Sequence, residues 1–302
     1  MTQHATGTLF AAVEAGGTKF VCAVGTGPDN VLRRIRIDTR DPAYTMGETA
    51  AFLRAARADL GPIAGLGVAG FGPVRLDPAA PDFGRLLATP KPGWDGADLV
   101  GPLAAAAGCK GALDTDVNAA ALAEARLGAG QGCSSVVYVT IGTGIGAGIV
   151  VGGQPVHGML HPEAGHLLVR RHADDGAFAG ICPYHGDCCE GLACGPAIAA
   201  RSGVAAEDMP ADHPHWVIVA DAIGQLCASI SLMVSPQRIL LGGGVMTSGA
   251  LFPAVRAATA RALNGYLVPL RSPEALAALI APPGLDNPGL AGAFLLAEMA
   301  AS

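Results

Sequence analysis

The 302-residue sequence has little charge, with only 15% of its residues Asp, Glu, Lys or Arg against 51% hydrophobic. A chain this apolar can bury a sizeable core, which excludes disorder over most of its length. It also lacks an uninterrupted apolar stretch of about 20 residues, the length that a transmembrane helix requires. The apolar content comes mainly from Ala, Gly, Val and Leu. The N-terminus, Met1-Thr2-Gln3-His4, has no charged segment leading into an apolar run and a cleavage site, so a cytoplasmic protein is expected. The net charge is −6 without long like-charge runs or a clustered basic face, so neither a nucleic-acid nor a membrane partner is expected.

Eight cysteines are present. Cys22, Cys109, Cys133 and Cys227 read as buried, reduced thiols in a protein without a secretory leader. The crowded group from Cys182 to Cys194 departs from that reading. Cys182-Pro-Tyr-His185-Gly-Asp-Cys188, with His166 upstream, sets two thiols and two imidazoles at close spacing, the donor set of tetrahedral zinc. Four protein ligands close the coordination shell, so the zinc expected is structural. Cys189 could replace Cys188, whereas Cys194 opens the next helix and is expected to pack. His157, His161 and His172 read as surface or hydrogen-bonded histidines.

Length suggests two lobes. Leu9 to Val13 and Phe20 to Val24 predict a hairpin, followed by a helix from Thr45 to Leu60 and a strand from Ile63 to Val68. Ala79 to Asp95 is a long Pro-rich loop, and such loops are usually functional. Its Thr89-to-Trp94 stretch is expected to wall a ligand site or form a lid, with plain core the competing reading for Trp94. Helices are predicted over Ala97 to Ala107 and Val117 to Gly128, flanking a strand from Gly111 to Asp114. Ser134 to Thr140 and Ala147 to Val151 repeat the strand, glycine turn, strand unit of the opening. Helices then follow over Cys194 to Ala200 and His215 to Val234, a strand over Arg238 to Leu241, and helices over Phe252 to Ala262 and Gly289 to Ser302. The pattern is that of an α/β protein with its chemistry in loops at strand ends.

Three glycine turns follow apolar strands: Gly16-Gly17-Thr18-Lys19, Gly142-Thr143-Gly144 and Gly242-Gly243-Gly244. Such turns bring backbone N–H groups close to anionic oxygens, and their repetition points to phosphoryl transfer. That chemistry on a hydroxyl needs a carboxylate to take the proton, and Asp114 and Asp116 are both candidates. Alternation along an extended segment places them on one face, so spacing does not choose between them. An Asp before Val117 would also serve as a helix N-cap.

Five segments in order, Glu14-Ala-Gly-Gly-Thr-Lys19, Asp116-Val-Asn-Ala-Ala-Ala-Leu-Ala-Glu124, Ile141-Gly-Thr-Gly-Ile-Gly-Ala-Gly148, His161-Pro-Glu-Ala-Gly-His166 and Leu241-Gly-Gly-Gly-Val245, resemble the ROK sugar kinases. Gly70-Phe-Gly-Pro-Val74, Thr89-Pro-Lys-Pro-Gly-Trp94 and the Cys182-to-Cys188 loop resemble the bacterial fructokinase branch. Glucokinases of the family typically carry a Cys-x-Cys-Gly-x-x-Gly-Cys zinc loop, in which a His here replaces one Cys.

The resemblance implies a two-lobed actin-like ATPase (ribonuclease H-like) fold with a cleft between the lobes. The N-terminal lobe would span 1–118, completed by the C-terminal helix 289–302; the C-terminal lobe would span 119–288 and carry the zinc loop 166–190. It implies ATP as co-substrate and Mg²⁺ as cofactor, with ATP at Gly16, Gly17, Thr18, Lys19, Gly142, Thr143, Gly144, Gly242, Gly243 and Gly244. It selects Asp116 as the general base, while Thr115, where many relatives carry Asn, keeps an open role. Sugar contacts are expected from Gly72, Pro73, Asp116, Glu163, His166 and Glu190, with His166 also on zinc alongside Cys182, His185 and Cys188. The expected reaction converts D-fructose to fructose 6-phosphate, with a glucokinase or broad hexokinase as the alternative. A homodimer is an expectation from the family. Sugar-responsive repressors in the family carry a helix-turn-helix before the first lobe, for which a first strand near Leu9 leaves no room. A non-catalytic sugar-binding regulator is disfavoured by Asp116, Thr18 and Thr143.

Overall fold

The computed structural model describes residues 7–89, 91–176, 178–247 and 249–302, so Pro90 of the Thr89-to-Trp94 loop and the Met1-to-His4 leader reading lie outside the described residues. The chain divides into two compact units, one of 1–123, 154–161 and 286–302, the other of 124–153 and 162–285.

In the first unit β1 (Leu9–Ala15), β2 (Lys19–Gly27), β3 (Asn30–Asp38), β4 (Ile63–Gly70) and β5 (Lys110–Thr115) form one sheet in the order β3-β2-β1-β4-β5. β1 pairs antiparallel with β2 and parallel with β4, and β4 pairs parallel with β5. β3 is absent from the sequence expectation. It is an edge strand whose residues are mostly exposed, and its Arg33, Arg34 and Arg36 hide the alternation that a half-buried strand shows.

α1 (Pro42–Leu60) begins earlier than predicted, because Asp41 accepts the Tyr44 N–H and Pro42 is set for a first helical turn. α2 (Gly101–Ala107) begins four residues later than predicted, since Asp98 Oδ1 takes the N–H groups of Val100 and Gly101 and holds that stretch in a turn. The apolar C-terminal helix, Pro288–Ala301, contacts β1, β4 and β5. Gly67 permits this: a Cβ there would overlap the Ala293 carbonyl oxygen, so the helix seats directly on β4.

The second unit repeats the arrangement. β6 (Ser135–Ile141), β7 (Ile145–Val151), β8 (Gln154–Pro155), β9 (Arg238–Gly242) and β10 (Ile280–Ala281) are ordered β10-β9-β6-β7-β8. β6 is antiparallel to β7 and parallel to β9, as β1 is to β2 and β4. This duplicated order is the actin-like ATPase topology. Among the described residues one helix, His215–Val234, is long and apolar enough to cross a membrane, yet most of it is buried and packs against Phe252–Leu263 in this unit's core.

Candidate active site and metal centre

Register fixes where the first unit's chemistry gathers. Ala15 lies opposite Gly70, and Gly70 opposite Thr115, so the carboxyl ends of parallel β1, β4 and β5 finish level. From that edge leave the Gly16-to-Lys19 turn, the Gly70-to-Val74 loop and α3 (Asp116–Leu127). Loops at the carboxyl ends of parallel strands are where α/β proteins bind ligands. Gly17, Thr18 and Lys19 are exposed, while Gly16 is pinned by its N–H to the Lys19 carbonyl and by its own carbonyl to Thr39 Oγ1.

The chain changes from strand to helix between Thr115 and Asp116, and this separates the two aspartates that alternation left on one face. Asp114 is 2% exposed and accepts from Thr115 N–H at 2.7 Å, Asn118 Nδ2 at 2.8 Å and His157 Nε2 at 2.9 Å. Asp116, the first residue of α3, is only half-buried, with Oδ1 on the Val117 N–H. The helix cap is Thr115, whose Oγ1 accepts the Asn118 N–H, not Asp116. The Asp114 carboxylate holds the His157 imidazolium above its ordinary pKa, with burial opposing. Burial likewise raises Glu14, with Lys19 and Arg34 offsetting it.

Gly72 and Pro73 are half-buried, and the loop they belong to is held by His161 Nε2 accepting the Val74 N–H at 3.2 Å. His161 is thus buried and hydrogen-bonded. Trp94 does not wall a site: it is fully buried, packs on Phe20 and Phe71 at ring-centroid distances of 5.7 and 5.3 Å, and donates Nε1–H to the Arg40 carbonyl. The plain-core reading of this residue is the one that holds.

In the second unit Thr140 lies opposite Gly242, so the turns after β6 and β9 leave the same edge. Gly142 and Thr143 from one and Gly244 from the other line a cavity of about 430 Å³ together with Gly195, Pro196, Ala199, Ala205, Ala206, Glu207 and Val245. Gly195 donates its N–H to the Gly142 carbonyl at 2.7 Å. Gly242 and Gly243 do not line the cavity. Gly243 has φ +86°, and a Cβ there would run into the Ile141 backbone, so this glycine lets β9 leave the sheet past β6. The stretch from Gly195 to Glu207 escaped the sequence reading because its lining residues are mostly small and apolar.

The Cys/His cluster forms as expected. One donor atom each from His166, Cys182, His185 and Cys188 lies within 4.8 Å of all the others. His166 Nδ1 is 3.6 Å from Cys182 Sγ and 3.5 Å from Cys188 Sγ, and His185 Nδ1 is 3.6 Å from Cys182 Sγ. Zinc–sulfur and zinc–nitrogen bonds of about 2.3 and 2.1 Å at tetrahedral angles require N···S separations of about 3.6 Å, so the donors fit that metal. Cys182 and Gly186 exchange both backbone hydrogen bonds, folding the loop into a tight knuckle. Cys189 points elsewhere: it is fully buried, bonds the Ala222 carbonyl, and burial pushes its thiol far up. Cys194 is buried too, its thiol pushed up to about 11.

His166 Nε2 faces Glu190 Oε1 at 3.9 Å, and Glu190 Oε2 accepts the Ile145 N–H at 2.9 Å beside the second glycine turn. Desolvation by its surroundings, then the charge of Glu190, push the Glu163 carboxyl up to about 7 although part of the residue stays exposed. Glu163, His166 and Glu190 thus form one group next to the metal donors. Glu124, fully buried in the last turn of α3, accepts from Ala129, Gly284 and Leu285 N–H groups at 2.8–3.0 Å, a structural role that sequence gave no sign of.

Comparison with known proteins bears on this geometry. A fructokinase of Pediococcus pentosaceus is 40% identical over 293 residues, covering 97% of this chain and 98% of that protein. A fructokinase of Zymomonas mobilis subsp. mobilis is 41% identical, covering 96% of each. The crystal structure of a ROK hexokinase from Thermus thermophilus is similar with a TM-score of 0.77 at 26% identity, over 97% of this chain and 98% of that one. The model of the ROK family matches residues 10–300, and the chain belongs to that family.

Proposed function

We propose that the protein transfers the γ-phosphoryl group of ATP to D-fructose, giving fructose 6-phosphate. The observation that carries this reading is the identity of about 40%, over nearly the whole of each chain, to two fructokinases. The cavity lined by Gly142, Thr143 and Gly244 supports a nucleotide site in the second unit, and the exposed Gly17-Thr18-Lys19 turn supports a phosphate contact from the first. ATP enters as its Mg²⁺ complex, and a cytoplasmic location belongs to the same reading.

Asp116 acts as general base, taking the proton of the fructose 6-hydroxyl as its oxygen attacks the γ-phosphorus. The buried, triply bonded Asp114 is not suited to that task, since each of its lone-pair sites in use would have to be vacated. Glu163, His166, Glu190 and the Gly72-Pro73 backbone bind the sugar hydroxyls. His166, Cys182, His185 and Cys188 would hold a zinc ion, which would supply rigidity; with Nδ1 on the metal side, the His166 ring would present Nε2 toward Glu190.

The test is ATP-dependent phosphorylation of fructose, glucose, mannose and N-acetylmannosamine. The expected result is the highest kcat/KM for fructose. A higher value for glucose would replace the assignment by a glucokinase.

A further inference from the structure

We propose that His157 is a positioning residue for the phosphoryl transfer, holding through Asp114 the turn from β5 into α3 that carries Asp116. The assignment rests on Asp116 being the base.

Asp114 uses its two carboxylate oxygens differently. Oδ1 accepts from Thr115 N–H and Asn118 Nδ2, both within its own turn, whereas Oδ2 accepts from His157 Nε2 at 2.9 Å. Thr115 Oγ1 takes the Asn118 N–H and closes the local ring of hydrogen bonds. That ring spans five residues, from the end of β5, where Asp114 and Thr115 pair with Ala69 and Gly70 of β4, into the first turn of α3. His157, 43 positions away in sequence, ties it from outside. A buried carboxylate oxygen without a donor is costly, so removing the imidazole would make Asp114 turn toward another partner and carry Thr115 and Asn118 with it. Asp116 lies between those two residues.

The opposite end of the segment that bears His157 is fixed as well. His161 Nε2 accepts the Val74 N–H beside Gly72 and Pro73. Residues 157–161 are therefore a short strap pinned at both ends by imidazoles, one to the base-bearing turn and one to the loop read as a sugar contact. Neither histidine needs to touch a reacting atom. A base displaced by about 1 Å loses on the order of 100-fold in rate, which sets the scale for what the strap protects.

The experiment compares His157→Leu and His157→Gln in the full-length protein, by steady-state kinetics and by backbone amide hydrogen exchange at Thr115 and Asn118. The leucine variant is expected to lose on the order of 10- to 100-fold in kcat with KM for ATP unchanged, and to exchange faster at both amides. The glutamine variant keeps an N–H donor, and should recover kcat to within a few-fold and restore slow exchange. Wild-type kcat in the leucine variant, or equal losses in both variants with unaltered exchange, would overturn the assignment. If the leucine variant does not fold, the glutamine variant decides: a large loss of kcat or fast exchange at Thr115 refutes it. A wild-type protein inactive on every hexose would refute the proposed function separately, and the exchange comparison would still decide whether His157 anchors the turn.

Discussion

His166 and Glu190 face each other at 3.9 Å through Nε2 and Oε1, while the other nitrogen of the same ring sits 3.5 Å from Cys188 Sγ. One imidazole thus joins the Cys/His cluster to a carboxylate, and that carboxylate's second oxygen is bonded to the Ile145 N–H. Disturbing the cluster should be felt at the sugar before it is felt at the nucleotide.

Zinc analysis of the purified protein should give about one zinc per chain, and His185→Ala should reduce it sharply. His185 is the exposed member of the cluster, so its loss removes a ligand without opening a core. In that variant KM for fructose is expected to rise more than KM for ATP, with a lower Tm. Full zinc content in His185→Ala would refute the ligand set.

Asp116→Asn preserves shape and removes the proposed base. A fall in kcat on the order of 10²- to 10⁴-fold is expected, with fructose binding by calorimetry little changed. Asp114→Asn should instead lower stability first, because it alters a buried carboxylate that gathers three donors.

Glu163 gives a pH dependence whose sign follows from its environment. Its carboxyl is raised from the model-compound value of 4.5 to about 7 by desolvation and by Glu190. Its contribution to stability is therefore fully present below about 4.5 and is lost as pH rises through about 7. Urea unfolding between pH 5 and 8 should show a decline in wild type that is smaller in Glu163→Gln. KM for fructose should fall over the same interval, since the ionised carboxylate is the stronger acceptor for sugar hydroxyls.

Trp94→Ala should cost about 3–5 kcal/mol in urea unfolding, as expected for emptying a fully buried aromatic site. The ratio of kcat/KM for fructose over glucose should stay near wild type in the folded fraction. A large change in that ratio would return Trp94 to the sugar site.

Glu124→Gln should lower Tm by several degrees without altering KM for either substrate. The amide retains only one acceptor oxygen for the three N–H groups of Ala129, Gly284 and Leu285, leaving at least one poorly paired, at about 1–3 kcal/mol.

Elements whose apolar pattern points one way were legible in the sequence. β1, β4, β6 and β9 are short apolar runs that end in glycine or run directly into it, and each is found as a strand whose turn leaves from that end. β3 was hidden because an exposed edge strand has no buried face to impose alternation, and α2 was overextended because the Asp98 side chain competes for backbone N–H groups there. In the candidate site, spacing found the Cys/His cluster, since metal ligands need particular residue types, but left Cys189 as a substitute for Cys188 until the fold turned Cys189 toward Ala222. It could not separate Asp114 from Asp116, because the strand-to-helix change at Thr115 breaks the periodicity on which such reasoning depends. Nor could it find His157, a lone histidine whose partner lies 43 residues away.

The seating of the Pro288–Ala301 helix against Gly67 has a consequence for biosynthesis. The first unit includes 286–302, whose helix covers its sheet, so that sheet stays uncovered until those residues have emerged from the ribosome. The second unit is complete at Leu285. The second unit should therefore be able to fold before the first, against the usual N-terminal-first order of domain folding during synthesis. Nascent chains stalled short of Pro288 would carry a protease-resistant second unit and an accessible β4.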